Sequence, residues 1–128
     1  MGNAITRHAV LPVIHAAWKL TVGARALALV IPPQELRERE DGEVVTDLDI
    51  VLVRDGQFVL GEVKSSPNAF DEEQLGVLLT VAQEIRPQVF VLAAPGTEWP
   101  PETTASFQEF EAALIPFDVK VERILLEW

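Results

Sequence analysis

Three charged residues near the middle of the chain, Asp49, Glu62 and Lys64, have the types and spacing that could bind a divalent metal ion. They lie in two apolar runs joined by Asp55-Gly56, which is typical of a tight turn between antiparallel strands. A two-residue turn predicts that Asp49 lies directly opposite Glu62. Opposed residues have Cβ atoms about 4.5–5.5 Å apart, so two carboxylates there repel each other unless a cation lies between them. Carboxylate oxygens suit Mg²⁺, which Mn²⁺ can replace, and the pattern therefore predicts a divalent-metal site.

The same register places Asp47 opposite Lys64 and gives the hairpin two different faces. One face is apolar throughout and is predicted to be buried: Leu48, Ile50, Leu52, Val59, Gly61 and Val63. The other face is apolar near the turn and charged at the far end. A four-residue loop would keep this register, whereas a three- or five-residue loop or a bulge would shift it. The charged end is also compatible with an ordinary strand end exposed to solvent. The apolar residues on either side favour a metal site instead, because charged side chains close to buried positions need partners.

An acid on one strand, a turn, and then acid-x-Lys on the next strand resembles the PD-(D/E)xK nuclease superfamily, which has the restriction-endonuclease-like fold. Asp49 matches the first acid and Glu62-Val63-Lys64 matches the second element, while Leu48 stands where the family name has proline. The resemblance extends from the N-terminal helix to about Val91. It implies a Mg²⁺- or Mn²⁺-dependent hydrolase that cleaves phosphodiester bonds in DNA or, less often, in RNA.

The resemblance also implies a role for each matching residue. Asp49 and Glu62 would hold the metal, with the Val63 carbonyl as an additional ligand. Lys64 would orient or activate the attacking water, or stabilise charge on the reacting phosphate. These three side chains and one carbonyl are the predicted catalytic set.

Four further residues are accessory candidates. Many relatives carry another acid on the first helix, but this chain has no Asp or Glu before Glu35, so Asp47 or Glu35 could take its place. Gln74 could reach the site from the following helix, although it also occupies a capping-box position. Ser65 directly follows the motif and could contact a phosphate or stabilise a turn.

Composition predicts a single cytoplasmic domain. The chain has 128 residues, 48% of them hydrophobic, which suffices for one domain, 1–128, with a substantial core. It contains no cysteine, which excludes disulfides and cysteine-bound zinc and is compatible with a reducing cytoplasm. The sequence shows neither a signal-peptide pattern nor an apolar run long enough to span a membrane, so no membrane association is expected.

The net charge of −10 is unfavourable for a protein that binds nucleic acid alone. Residues 1–34 hold three basic residues and no acid, and all 20 acids follow them. We therefore expect a homodimer, or a fused or separate DNA-binding or motor module, to supply affinity for nucleic acid. The alternative is a catalytically silent nuclease-fold domain that helps to assemble protein or nucleic-acid complexes. The intact catalytic set favours the nuclease and the acidity favours the alternative; either internal or terminal cleavage is compatible with the sequence.

Hydrophobic periodicity and turn residues predict an α/β fold in the order α-β-β-β-α-β-α-β, with a mixed central sheet flanked by helices. Helices are predicted over residues 5–20 (interrupted near Pro12), 71–85 and 103–114. Strands are predicted over residues 24–31, 44–54, 58–64, 89–94 and 119–126. Residues 34–40 either extend the first strand or form an exposed turn, and a turn is expected at residues 41–42.

Overall fold

The computed structural model describes residues 7–21, 29–31, 34–37 and 44–127. Its helices are α1 (Arg7–Thr21), α2 (Glu72–Ile85) and α3 (Pro101–Leu114). Its strands are β1 (Leu29–Ile31), β2 (Gln34–Arg37), β3 (Val44–Leu48), β4 (Ile50–Arg54), β5 (Gln57–Val63), β6 (Val89–Pro95) and β7 (Lys120–Leu126). No helix within the described ranges is long and apolar enough to cross a bilayer.

Five strands form one mixed sheet in the order β1-β4-β5-β6-β7. The neighbours β1, β4 and β5 are antiparallel, whereas β5, β6 and β7 are parallel. Parallel neighbours need a crossover connection, and α2 and α3 provide the two crossovers. The continuous apolar run of β6 is buried, as expected for a central parallel strand. The predicted α/β class, with a mixed sheet flanked by helices, is confirmed.

Helices cover both faces of this sheet and create two core layers. The layer under α1 contains Ala16, Leu20, Ile50, Leu52, Val59, Val63, Val89, Val91, Ala93 and Leu126. The layer under α2 and α3 includes Leu48, Val51, Leu60, Leu78, Phe90, Leu92, Phe107 and Leu114. Since side chains alternate along a strand, β5 directs Val59 and Val63 toward α1 and Leu60 toward α2 and α3.

The crossover from β5 to β6 follows its sequence signals. Asp71 is the N-cap of α2, and its Oδ1 accepts the Gln74 backbone N–H at 2.7 Å, as predicted. The helix ends at Ile85 because Arg86 adopts a left-handed φ of 55° and Pro87 follows it. Both ends of α2 are therefore set by local sequence.

The first half of the chain departs from the predicted order. The predicted strand 44–54 is divided at Asp49 into β3 and β4, and β2 is a separate strand that pairs with β3 in a two-stranded sheet. We call this pair of strands, β2 and β3, the arm. The α1 helix runs through Pro12 without interruption. Predicted features at residues 5–6, 24–28 and 38–42 lie outside the described residues.

The arm and the main sheet share one register across the division. Ile31 faces Val51 on the β1–β4 side, and Gln34 faces Leu48 on the β2–β3 side. The interruption coincides in sequence with Pro32-Pro33, which have no backbone N–H to donate to a ladder. Asp49 therefore lies where one long hairpin divides into two sheets.

Candidate metal-binding and active site

The turn between β4 and β5 sets the register of the site. Asp55 and Gly56 have φ values of 48° and 75°, which are typical of a type I′ turn. The turn pairs Arg54 with Gln57, and the ladder continues in the predicted register to its last rung: Val53↔Phe58, Leu52↔Val59, Val51↔Leu60 and Ile50↔Gly61. The predicted pairing is confirmed over these five rungs.

Asp49 lies beyond the last rung, at a bend rather than in a strand. Strand β5 extends farther than β4, so Glu62 and Val63 have no backbone partner on β4. The Val63 N–H instead donates to Asp49 Oδ2 at 3.0 Å. A side-chain carboxylate thus replaces the next backbone rung. Asp49 is brought beside Glu62–Val63 as predicted, but through its side chain rather than as a paired strand residue.

The predicted opposition of Asp47 and Lys64 is wrong. Asp47 pairs with Glu35 on β2, because the chain leaves the main sheet at Asp49. The Lys64 N–H donates to the Ala93 carbonyl of β6 at 2.9 Å, so its backbone continues the parallel ladder. Because the predicted strand is divided into β3 and β4, Asp47 no longer pairs with β5, and Asp49 lies just beyond the last β4–β5 rung.

The same bend changes one predicted face. Ile50 and Leu52 lie in the layer under α1, as predicted. Leu48 was expected beside them, but it lies in the opposite layer with Val51 and Leu60. An irregular residue between two strands shifts the alternation of side chains, and Asp49 is that residue.

Glu62 is the most deeply buried acid whose side chain the structure describes, with 6% of its surface exposed. It follows Leu60 on the α2–α3 side of β5 and pairs in register with Leu92 of β6. Lys64 Nζ lies 4.0 Å from Glu62 Oε1, and the lysine side chain remains partly exposed. A carboxylate in such apolar surroundings needs a positive partner. Lys64 provides one, and a bound cation would provide another.

The Val63 carbonyl faces the same side of β5 as Asp49. In an extended strand the N–H and C=O of one residue point to the same side, and the Val63 N–H points to Asp49. The adjacent Lys64 N–H points to β6, as the alternation requires. The Val63 carbonyl oxygen and the Asp49 carboxylate therefore lie along the same overhanging edge of β5.

These groups have the chemistry of a ligand set for a hard divalent cation. An Asp carboxylate can accept several contacts, so the Val63 N–H leaves lone pairs of Asp49 available. Mg²⁺ is commonly held by one or two carboxylates, and waters or substrate phosphates complete its octahedron. Asp49, Glu62 and the Val63 carbonyl fit that pattern. The described side chains contain no cluster of three or more His, Cys, Asp or Glu residues suited to a metal, so the set does not fit an all-protein cage.

The accessory candidates lie in three different places. Glu35 and Asp47 are brought opposite each other on the arm, with Asp47 two residues before Asp49. Gln74 lies in the first turn of α2, where its backbone N–H donates to Asp71 Oδ1, and this contact explains its capping-box position. Ser65 is exposed directly after Lys64, at the carboxyl end of β5. The structure thus groups Asp49, Glu62, Val63 and Lys64, and no described contact joins Glu35, Asp47 or Gln74 to them.

Sequence reasoning missed two long-range contacts, of which only the first lies at the site. One is the Asp49–Val63 bond, for which Pro32-Pro33 was the available signal, since prolines interrupt a ladder. The other is Arg54, whose Nη1 donates to the Leu20 carbonyl at 2.8 Å and whose Nη2 lies 3.5 Å from Glu122. Arg54 joins the end of α1 to the sheet. No local sequence pattern predicts this contact, because Leu20 is 34 residues away.

Comparison with protein-family models, with curated proteins and with solved structures found no match to this chain.

Proposed function

We propose that this protein is a Mg²⁺-dependent nuclease that hydrolyses phosphodiester bonds, with DNA preferred to RNA and with Mn²⁺ able to replace Mg²⁺. The observation that supports the proposal most directly is the convergence at the overhanging end of β5. Two carboxylates, one backbone carbonyl and one lysine belong to this end: Asp49 Oδ2 accepts the Val63 N–H at 3.0 Å, and Lys64 Nζ lies 4.0 Å from Glu62 Oε1. This combination can bind a cation and still leave an ammonium group beside it.

Asp49, Glu62 and the Val63 carbonyl would hold the cation. When bound, the cation supplies Lewis-acid chemistry, making water more acidic and neutralising charge on the phosphate. Hydrolysis forms a bond from water oxygen to phosphorus and breaks one ester P–O bond, while the water proton leaves and the departing alkoxide gains a proton. Lys64 cannot ligate a cation, but its ammonium group beside Glu62 can orient the water or stabilise the phosphate.

The β5 scaffold positions these groups before any ligand binds. The Val63 N–H fixes one Asp49 oxygen, in the way that outer-shell hydrogen bonds orient metal ligands. Burial of Glu62, on the same face of β5 as Leu60, restricts its side chain. Groups that are already oriented lose little freedom when a metal or substrate binds.

The alternative function, a catalytically silent domain in an assembly, is favoured by a specific observation. Each charged group of the set has a partner within the fold: Asp49 accepts the Val63 N–H, and Glu62 has Lys64 at 4.0 Å. Contacts of this kind also stabilise a structure that binds no metal. The net charge of −10 adds to this argument, because polyanions are repelled.

Metal titration separates the two functions. Isothermal calorimetry with Mg²⁺ and Mn²⁺ is expected to show one site in the wild-type chain and at least a tenfold loss of affinity in Asp49→Asn and Glu62→Gln. Asp55→Asn is the matched control, since it removes one acid from the same hairpin and keeps a residue suited to the I′ turn. Equal affinity in all four proteins would exclude the proposed metal site.

Activity is then measured on end-labelled single-stranded and duplex DNA with Mg²⁺. Glu62→Gln, purified in parallel, controls for contaminating nucleases, because a contaminant would cleave equally in both preparations. The proposal also includes a partner: a second copy, or a basic DNA-binding or motor module, that supplies affinity for nucleic acid. Metal binding without cleavage of any substrate, with or without such a module, would favour the silent domain.

A further inference from the structure

We propose that the outer edge of β7 (Lys120–Leu126) binds the same edge of a second copy of this chain. The two five-stranded sheets would then join through antiparallel β7 strands into one continuous sheet. This interface would form whether or not the chain is a nuclease. The main-chain groups that β7 leaves open and the symmetry of its side chains both support a second copy as the partner.

The hydrogen bonds between β6 and β7 show which main-chain groups of β7 face outward. The Lys120 N–H donates to the Gln88 carbonyl at 3.0 Å, and the Leu126 carbonyl accepts the Gly96 N–H at 3.2 Å. The register between these two bonds is unbroken. Because the N–H and C=O of one residue point to the same side and alternate along a strand, every second residue of β7 faces away from β6. These outward residues are Val121, Arg123 and Leu125.

The outward edge of β7 is open. No described residue bonds to the main chain of these three residues. Arg123 is exposed as a whole residue although its side chain is only 30% exposed, so its main chain carries much of the exposed surface. An open edge of this kind readily pairs with another strand. The other edge of the sheet is less suited, since β1 has only three residues and Pro32-Pro33 follow it in sequence.

The side chains along this edge are symmetric about Arg123. A two-fold axis through Arg123 and its copy places Val121 of each chain opposite Leu125 of the other. The outward N–H and C=O groups then face each other in hydrogen-bonded pairs. A register shifted by two residues would instead oppose Arg123 to Val121 or to Leu125, which loses the apolar pairs. The sequence of β7 therefore fits an antiparallel copy of itself in one register.

Electrostatics permits this contact. Two arginines would oppose each other at the axis, but Arg123 Nε already lies 2.9 Å from Glu111 Oε1 of α3, and this ion pair offsets their repulsion. Lys120, Glu122 and Arg123 give β7 a formal charge of +1. A positive strand is a favourable meeting point for two chains that each carry a net charge of −10.

The axis would also set the geometry of the two candidate sites. Glu62 is in register with Leu92, and Leu92 is in register with Arg123. The two copies of Glu62 would therefore lie on one line through the axis and on the same face of the joined sheet. Five strand spacings of about 4.8 Å separate them, which is roughly 24 Å along the sheet.

The first experiment is sedimentation equilibrium of the wild-type chain from about 5 to 500 µM, a range in which mass action shifts a monomer–dimer equilibrium. The mass should rise toward twice the 14.2 kDa of one chain. Arg123→Pro removes the outward N–H at the axis but no bond to β6, so it should weaken dimerisation about tenfold or more. The matched control Arg123→Ala keeps this N–H and should dimerise like the wild-type chain.

Amide exchange tests the edge without any substitution. The N–H groups of Val121, Arg123 and Leu125 should exchange about fivefold more slowly at 500 µM than at 5 µM, because only the monomer leaves them open. The N–H groups of Glu122 and Ile124 face β6 and should exchange equally at both concentrations.

A cysteine at the axis tests the register. The chain has no cysteine of its own, and the two Cα atoms of Arg123→Cys would lie about 5.5 Å apart, within the range that a disulfide bridges. Copper phenanthroline should oxidise this variant to a covalent dimer at least about tenfold faster than Glu84→Cys, whose thiol would lie at an exposed position on α2.

A wild-type chain that stays monomeric to about 500 µM, or an Arg123→Pro variant that dimerises as tightly as Arg123→Ala, would overturn the interface. If circular dichroism shows that Arg123→Pro is unfolded, the exchange pattern decides, and equal exchange of the outward groups at both concentrations would overturn it. None of these measurements uses nuclease activity, so failure of the interface leaves the proposed function intact.

Discussion

Replacing Asp49 by alanine removes the acceptor of the Val63 N–H and leaves that amide without its 3.0 Å partner. Val63 is only 7% exposed, so water cannot readily take the place of the carboxylate. A hydrogen bond to a charged group contributes about 1.5–3 kcal/mol. Asp49 is itself partly exposed, which favours the lower part of that range, about 1.5–2 kcal/mol. For a domain of this size about 4 °C of Tm corresponds to 1 kcal/mol, so we expect Tm to fall by roughly 6–8 °C.

Asp49→Asn is the matched variant, because its amide oxygen can still accept the Val63 N–H. A neutral bond contributes about 1 kcal/mol, so this variant should lose only about 0.5–1 kcal/mol. Urea unfolding followed by tryptophan fluorescence, in EDTA so that metal makes no contribution, measures both variants. Amide exchange at Val63 should accelerate in Asp49→Ala more than in Asp49→Asn. If Asp49→Ala were as stable as the wild-type chain, the carboxylate would not replace a backbone rung, and the account of how Asp49 is positioned would be refuted.

Four further predictions concern other parts of the molecule. Lys64→Ala should keep metal affinity by calorimetry but lose about 10²–10³-fold in turnover, and near-normal turnover would contradict its role. The same variant in Ca²⁺ should bind duplex DNA weakly and lose binding as salt rises; tight binding by a demonstrated monomer in fluorescence anisotropy would contradict the need for a partner. Gly61→Ala would place a Cβ 2.8 Å from the Val91 carbonyl oxygen and should lower the free energy of unfolding in urea by about 1–3 kcal/mol. The Cβ of Gly76→Ala would have no other atom within 4 Å, so this variant should stabilise α2 by up to about 1 kcal/mol. Arg54→Met should cost about 1–3 kcal/mol and raise amide exchange in α1, and unchanged exchange would show that α1 is held by apolar contacts alone.

Local signals made the second half of the chain predictable. An N-cap at Asp71, a stop before Pro87 and a buried apolar run for β6 act over a few residues, and each is present in the structure. The register of β4 and β5 was predictable for the same reason, because a type I′ turn at Asp55-Gly56 dictates which residues face each other.

The arm could not be predicted in the same way. Residues 44–54 form one unbroken pattern of strand formers, and the division at Asp49 depends on what lies across the ladder, more than ten residues away. Pro32-Pro33, which lie between β1 and β2 in sequence, were a usable signal, but only once the pairing of those strands was known. Long-range pairing also decided where Arg54 binds, since Leu20 is 34 residues distant.

For the candidate site, residue types and spacing led to the prediction of Asp49, Glu62 and Lys64 but did not show which contacts position them. The predicted explanation was repulsion between two opposed carboxylates relieved by a cation. In the structure part of that repulsion is already offset, because Asp49 accepts an N–H and Glu62 has Lys64 nearby. Each of the two acids therefore has a partner within the fold in addition to any metal.

A metal ion bound at the site would add to the free energy of unfolding that these contacts already provide. A ligand that binds only the folded state adds RT ln(1 + [L]/Kd), so 10 mM Mg²⁺ acting on a site with a Kd of about 1 mM would add about 1.4 kcal/mol. At roughly 4 °C per kcal/mol, the wild-type chain should melt about 5–6 °C higher in Mg²⁺ than in EDTA. Asp49→Asn should lose that increment while keeping most of its stability in EDTA, because the asparagine preserves the bond to Val63 but weakens the ligand set. The same Mg²⁺ increment in both proteins would show that Asp49 serves the fold alone, and the silent domain would then be the better description of this protein.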